Sequence, residues 1–483
     1  MEMTLTEDWL PKPGALVEFT ATDATLDAAA AATPSEIPPT FIQESHIRRW
    51  AERRHGDNPL ASELSLCFTV AEPLDRTALR QAFTTFLRRH DTLRSWFDLD
   101  ESGGGFALTR YLVGADDVEL TTTETGVFAS GEELRDTLVE KYRAAADPTR
   151  WPAFVCGAID HGADGFTLLY NTDHAFSDGL SLVTAIFELH GLYTAYAADQ
   201  EPPLLPVGSY VEFARTERAA VAAGSPELDR MAELLAANAD RVRPLPIDLG
   251  LAPGTVAESR GTKLDLLDAA ECEAFAEASR AAGGGFSAGL FAAIALAEHE
   301  LTGRTHYLGL NVVGTRNEPQ YQLAQGWFIN LLPIAFDFEA GQPFTDLVSR
   351  ASGALDAVKP LGNVPIHAAL QRAAGITGSP LPVTTDWPWV SYMDVRAISG
   401  AALELALPNV SGINGLGSRS KIGQTSPVWF SRELDRLHVT VMYPDTEAAH
   451  TSATDYLERV RTTLRTVART GRFTAAATEA KGP

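Results

Sequence analysis

Residues 153–197 pass from a hairpin into a helix with almost no linker. "AFVCGAIDHGADGFTLLYNT" reads as two strands turning around Gly162 to Gly165. The second strand stops in a polar loop holding Asp173, His174 and Asp178, and Leu182, Val183, Ile186, Leu189, Tyr193 and Tyr196 then recur at helical spacing. The same grammar appears upstream, where the strand-like "LSLCFTVAEPL" precedes a helix with Asp75 as its N-cap and Leu79, Phe83, Phe86 and Leu87 on one face. "LRSWFDLDESGGGFALTRYLV" reads as a further hairpin around Gly103 to Gly105. Strands in hairpins together with strands joined through helices point to a layered α/β fold with mixed sheets and helices outside them.

At 483 residues the chain exceeds one ordinary core, so two lobes are expected. Residues 1–40 are expected as an N-terminal arm because the Ala-, Thr- and Pro-rich end of that stretch offers little large apolar surface. An N-terminal lobe then spans 41–205, an acidic, Ala-rich linker or helical connection spans 206–250, and a C-terminal lobe spans 251–483. In that last part a helix is expected from Phe286 to about Leu301 and another from Pro343 to about Val358. Strands are expected at "HYLGLNVVG", "LLPIAFDF", "WVSYMDVR" and "LHVTVMY", and a final helix with Leu457, Val460, Leu464 and Val467 on one face.

A net charge of −24, with no basic run, speaks against a nucleic-acid partner, whose affinity rests on clustered Lys and Arg. The three cysteines, Cys67, Cys156 and Cys272, have no metal-ligand spacing and imply no disulfide framework. Neither a leader segment nor an apolar membrane span is legible, so a cytoplasmic protein with no membrane partner is expected.

The polar loop is the place where chemistry concentrates. An imidazole can take a proton from an attacking alcohol or amine and return it to a leaving group, as acyl transfer requires. The same residues also have plain structural uses: Asp178 or Ser181 can cap the following helix, and a histidine after a strand can be a satisfied structural residue. No HExxH pattern or cysteine ligand accompanies the loop, so no metal is expected.

"DHAFSDG", Asp173 to Gly179, resembles the HHxxxDG signature of nonribosomal peptide synthetase condensation domains. The HxxxD core is shared with the chloramphenicol-acetyltransferase-like superfamily and the polyketide-associated acyltransferases. "LRQAFTTFLRRHDTLRSWF" is similar to the family's helix ending in RHxxLR, and "GTRNEPQYQLAQGWFINLLPI" to the later stretch in which an Arg precedes a GxFxN run. "WVSYMDVRAISG" and "YPDTEAAHTSATDYLERV" look like closing segments of free-standing members.

The resemblance implies two chloramphenicol-acetyltransferase-like lobes in a V, with an active-site tunnel at their interface. It implies His174 as the catalytic base, and Asp173, Asp178, Gly179 and Arg316 as structural residues at the active site. Asp178 is expected to pair with Arg316, Gly179 to leave room for the donor arm, and Gly326 and Asn330 to line the substrate tunnel. Asp173 departs from the family's first histidine, and an anion beside His174 is expected to raise its pKa or fix its tautomer. The implied function is a free-standing condensation enzyme that moves an acyl or aminoacyl group from a thioester to an amine or alcohol, forming an amide or ester in secondary-metabolite biosynthesis. No cofactor is bound; the donor itself carries phosphopantetheine, as an acyl or peptidyl carrier protein in trans or as coenzyme A. The other partner is a small-molecule acceptor. Arg48, Arg49, Arg53 and Arg54 form either a carrier docking patch or a solvated helix face. The alternative is a non-catalytic scaffold that recruits a carrier protein or tailoring enzyme.

Overall fold

The apolar run that leads to Asp173 is the central strand of a seven-stranded sheet in the computed structural model of the chain, which describes residues 2–381 and 387–475. With strands numbered along the whole chain, the first unit contains β1 (Glu2–Leu5), β2 (Gly14–Ala21), β3 (Glu63–Val70), β4 (Ser95–Asp100), β5 (Ala107–Leu112), β6 (Leu120–Phe128), β7 (Phe154–Asp160) and β8 (Phe166–Asp173). The sheet order is β1-β13-β3-β8-β7-β2-β6, where β13 is Val410–Gly417, while β4 and β5 form a separate antiparallel hairpin. Every pairing in the large sheet is antiparallel except β1 with β13.

All residues of β8 are buried, because helices cover both faces of the sheet at its centre. Leu169 packs with Leu16, Cys67 and Ile159 against Leu134, Leu138 and Tyr142 of the helix Gly131–Ala145. On the other face Tyr170 meets Phe86 edge-on and Phe166 meets Tyr193. The one amide inside this apolar strand, Asn171, is fully buried and accepts a hydrogen bond from Ser65 Oγ at 2.7 Å. The helix expected after Asp75 runs Arg76–Arg89, and the Asp75 carboxylate accepts from the Thr77 and Ala78 amides.

Two expectations for the first part of the chain are corrected. The stretch 1–40 is no arm: β1 and β2 are sheet strands, and Leu16, Val17 and Phe19 are each 1 % exposed. The few apolar residues there stand close together in one strand, and composition averaged over the segment hides them. Residues 206–250 carry two core-packed helices, Tyr210–Ala223 and Pro226–Asn238, with Tyr210, Met231 and Leu235 fully buried. Ser225 caps the second of these, with Pro226 in its first turn.

The chain divides into two compact units that are discontinuous in sequence: 2–223, 316–329 and 400–420 in one, and the remaining described residues in the other. The second unit contains β9 (Ala257–Asp268), β10 (His306–Gly314), all but the first residue of β11 (Ile329–Asp337), β12 (Val390–Asp394), β14 (Lys421–Ile422), β15 (Val428–Arg432) and β16 (Arg436–Pro444). Five of these form a sheet in the order β12-β15-β16-β9-β14, with β12 and β15 parallel, and β10 pairs with β11. The helices Phe286–Thr302, Phe344–Val358 and Glu447–Thr470 belong to the same unit. Leu457, Val460, Leu464 and Val467 of the last are fully buried, as their spacing predicts. Among the described residues no single helix is long and apolar enough to cross a membrane.

Candidate active site around His174

β8 ends at Asp173, a single 3-10 turn follows at His174–Phe176, and the helix Gly179–Ala197 starts three residues later. The turn is fixed from three sides. The Asp173 amide donates to Ala153 O at 3.3 Å and the His174 amide to Ser62 O at 2.7 Å. Asp173 Oδ1 accepts from the Ala175 amide at 2.7 Å, and Gln43 Nε2 donates to Ala175 O at 2.8 Å.

His174 is half-buried, and its Nδ1 lies 3.0 Å from the Ser177 carbonyl oxygen. A carbonyl only accepts, so Nδ1 carries the proton and the lone pair of the neutral ring is on Nε2. The indole of Trp327 stacks on the imidazole with centroids 4.1 Å apart and planes inclined by 32°. Burial pushes the His174 pKa below its ordinary value, and the neighbouring His46 pushes the same way; Asp173 and Asp178 oppose both. Asp173 acts in the expected upward direction, but desolvation outweighs the neighbouring anion and the net shift is downward.

Asp178 is the N-cap of the helix, and each of its oxygens accepts two hydrogen bonds. Oδ1 accepts from the Ser181 amide at 2.7 Å and Arg316 Nη2 at 3.0 Å; Oδ2 accepts from Arg316 Nη1 at 2.7 Å and the Phe328 amide at 2.9 Å. Arg316 also donates to Ser181 Oγ at 2.6 Å and lies over the Phe328 ring at 4.4 Å. Capping and arginine pairing therefore coexist on one carboxylate. With its acceptor sites filled, Asp178 holds the segment 316–329 against the start of the helix and has no capacity left for proton transfer.

The two glycines differ. Gly179 is exposed, and a Cβ built there meets nothing within 4 Å, so it faces open space beside His174's loop. Gly326 has φ +152, and a Cβ there stands 2.3 Å from Tyr210 Cδ2. Gly326→Ala is expected to lower stability by about 1–3 kcal/mol through overpacking, as a reduced denaturation midpoint with unchanged m-value. Asn330 is not brought into this cluster. It belongs to the second unit, where Nδ2 donates to the Gly362 and Val364 carbonyls at 3.0 and 2.6 Å and Oδ1 accepts from the Ile366 amide at 3.0 Å, fixing the start of the helix Ile366–Thr377.

Two residues at the site were not anticipated from sequence. Trp327 lies inside the GxFxN run, where attention falls on Gly326 and Asn330. His46 lies in the helix Phe41–Arg53, and its Nε2 is 3.1 Å from Asp173 Oδ1. The legible signal was its place among the buried residues Phe41, Gln43, Ile47 and Ala51 of that helix. Of the arginines on the same helix and its C-cap, Arg48 pairs with Glu44 and covers Phe106, and Arg54 pairs with Glu101. Among the described residues no group of three or more His, Cys, Asp or Glu is arranged to hold a metal ion.

The Condensation domain family model matches residues 34–378. The chain is 28% identical over 470 residues to the acyltransferase PapA3 of Mycobacterium tuberculosis, covering 96% of each protein. It is 28% identical over 468 residues to the trehalose-2-sulfate acyltransferase PapA2 of Mycobacterium bovis, covering 95% of this chain and 96% of that one. A solved structure of PapA2 acyl transferase superposes with a TM-score of 0.85 at 26% identity, over 97% of this chain and 100% of that one.

Proposed function

Because the chain belongs to the Condensation domain family, we propose that this acyltransferase joins the acyl group of a thioester to a hydroxyl of a small-molecule acceptor, with His174 as general base. Nε2 takes the hydroxyl proton as the oxygen attacks the thioester carbonyl. The tetrahedral adduct then collapses, the C–S bond breaks, and the imidazolium returns the proton to the departing sulfur, leaving an ester and a free thiol. No proton is lost or gained overall, and no metal or redox group enters the step. Holding the two substrates together supplies much of the rate, since a bimolecular encounter becomes an intramolecular one.

The observation that carries this reading is the hydrogen bond from His174 Nδ1 to the Ser177 carbonyl, which leaves Nε2 basic in a half-buried ring. The lowered pKa agrees with it, because the ring stays unprotonated at neutral pH. A hydroxyl acceptor is preferred over an amine because a relative of full length is named for acylating trehalose-2-sulfate. The donor is a phosphopantetheine thioester, on a carrier protein in trans or on coenzyme A, and the product belongs to a secondary metabolite or complex lipid.

The purified protein, incubated with acyl-coenzyme A or acyl-carrier thioesters and a panel of sugars, other alcohols and amines, is expected to give esters by mass spectrometry. Products confined to amines would overturn the choice of acceptor, and tight carrier binding without any product would favour a recruiting scaffold. The pH profile is a second check. Protonation removes the Nε2 lone pair, so kcat/KM falls as pH falls through the His174 pKa, and the acid limb is expected below about pH 6.5, the ordinary imidazole value. A limb centred above pH 7 would contradict the assignment.

A further inference from the structure

We propose that His46 is a positioning residue for this reaction, which clamps the Asp173 carboxylate and, together with Trp327, holds the His174 ring in its working orientation. The proposal rests on the reading of His174 as the base. His46 is 4 % exposed and Asp173 is fully buried, so their 3.1 Å contact is sheltered from water. A carboxylate oxygen accepts, so His46 Nε2 donates. The same oxygen accepts from the Ala175 amide, so the carboxylate brackets His174 along the chain, immediately before it by sequence and immediately after it by hydrogen bond.

The second route is through rings. The His46 ring meets Trp327 edge-on with centroids 5.1 Å apart and planes at 82°, and Trp327 in turn stacks on His174. The centroids of the two imidazoles are 6.2 Å apart. The helix bearing His46 is itself anchored, since Thr40 and Gln43 form a capping box at its start and Thr40 Oγ1 lies 3.2 Å from the Tyr210 hydroxyl.

The titratable and charged groups on the turn and on the elements packed against it leave His46 as the one whose removal acts on Asp173 directly. From the loop come Asp173 and Asp178, from β3 comes Glu63, from the segment 316–329 comes Arg316, and from the helix Phe41–Arg53 comes His46. Arg316 is bound on both sides by Asp178, and Glu63 faces Arg143 at 3.6 Å. Asp173 Oδ2 is buried with no hydrogen-bond partner, so His46 is the one side chain hydrogen-bonded to this buried carboxylate among the described residues. Removing that side chain leaves the buried carboxylate with the Ala175 amide and no side-chain partner.

The test compares His46→Gln, which keeps a hydrogen-bond donor but cannot take up a proton, with His46→Leu, which can do neither. Two readouts are taken: kcat and KM, and the titration of the His174 ring followed by NMR in histidine-labelled protein, with His174→Gln to assign the signal. Both variants remove a group that lowers the His174 pKa, so the His174 midpoint is expected to rise, by at most about 0.5–2 pH units, the limit set by a full charge about 6 Å away at effective dielectric constants between about 80 and 20. His46→Leu is expected to lose about 10- to 100-fold in kcat with little change in KM, and His46→Gln to recover most of that loss. An unmoved midpoint in folded His46→Gln, or a folded His46→Leu with parental kcat, overturns the proposal. If the parent protein turns over no thioester at all, the base assignment fails, and the titration alone then decides whether His46 acts on His174.

Discussion

His174→Ala is expected to lower kcat by about 10²- to 10⁴-fold, the usual contribution of a positioned base, while the protein remains folded. Among the described residues the side chain makes one hydrogen bond, from Nδ1 to the Ser177 carbonyl, and stacks on Trp327. Losing a single such bond costs about 0.5–1.5 kcal/mol, which a domain of ordinary stability tolerates. The backbone of the turn is held independently, by the amides of Asp173, His174 and Ala175, so its course survives the substitution. Activity and stability should therefore separate. Parental turnover in the alanine variant would reject His174 as the base, and a collapsed melting transition would show that the ring serves the fold instead.

Arg316→Ala is expected to act in the opposite sense, on folding first. It leaves the Asp178 carboxylate, 2 % exposed, with no cation, and breaking one side of a buried pair costs about 3–5 kcal/mol. It also removes the donor to Ser181 Oγ and the guanidinium over Phe328, so the segment 316–329 loses its tie to the helix Gly179–Ala197. At about 2–4 °C per kcal/mol for a unit of this size, the first thermal transition should fall by about 6–20 °C. Removing both charges at once, as Arg316→Met with Asp178→Leu, should be less damaging than Arg316→Ala alone, because no charge is left stranded. A single variant that melts with the parent would mean that water reaches the carboxylate and the pair contributes little.

Much of the first unit could be read directly from the chain because its signals are local. The hairpin around Gly162 to Gly165, the Asp75 cap and the apolar face of the final helix each depend on residues within a few positions of one another. Strands whose partners lie far away were harder. β9 carries the sequence "AESRGTKLDLLD" because one of its faces is largely exposed, yet it pairs with β16 and β14 inside the second sheet. Asp178 and Arg316 were linked in advance only through a family pattern, since 138 residues separate them. The His46–Asp173 contact spans 127 residues and matches no such pattern, so nothing local announced it. Asn330 shows the converse: a motif position whose amide is consumed by its own unit's turn.

The parallel pairing of β1 with β13 has a consequence for synthesis on the ribosome. Residues 2–5 leave the exit tunnel long before the strand they lie beside, residues 410–417. Until then β3 has no neighbour on that flank, and its unpaired amides and carbonyls form a bare edge of the kind that recruits other chains. A nascent or truncated product ending before residue 400 would carry that edge permanently, so chaperone engagement and aggregation should concentrate there.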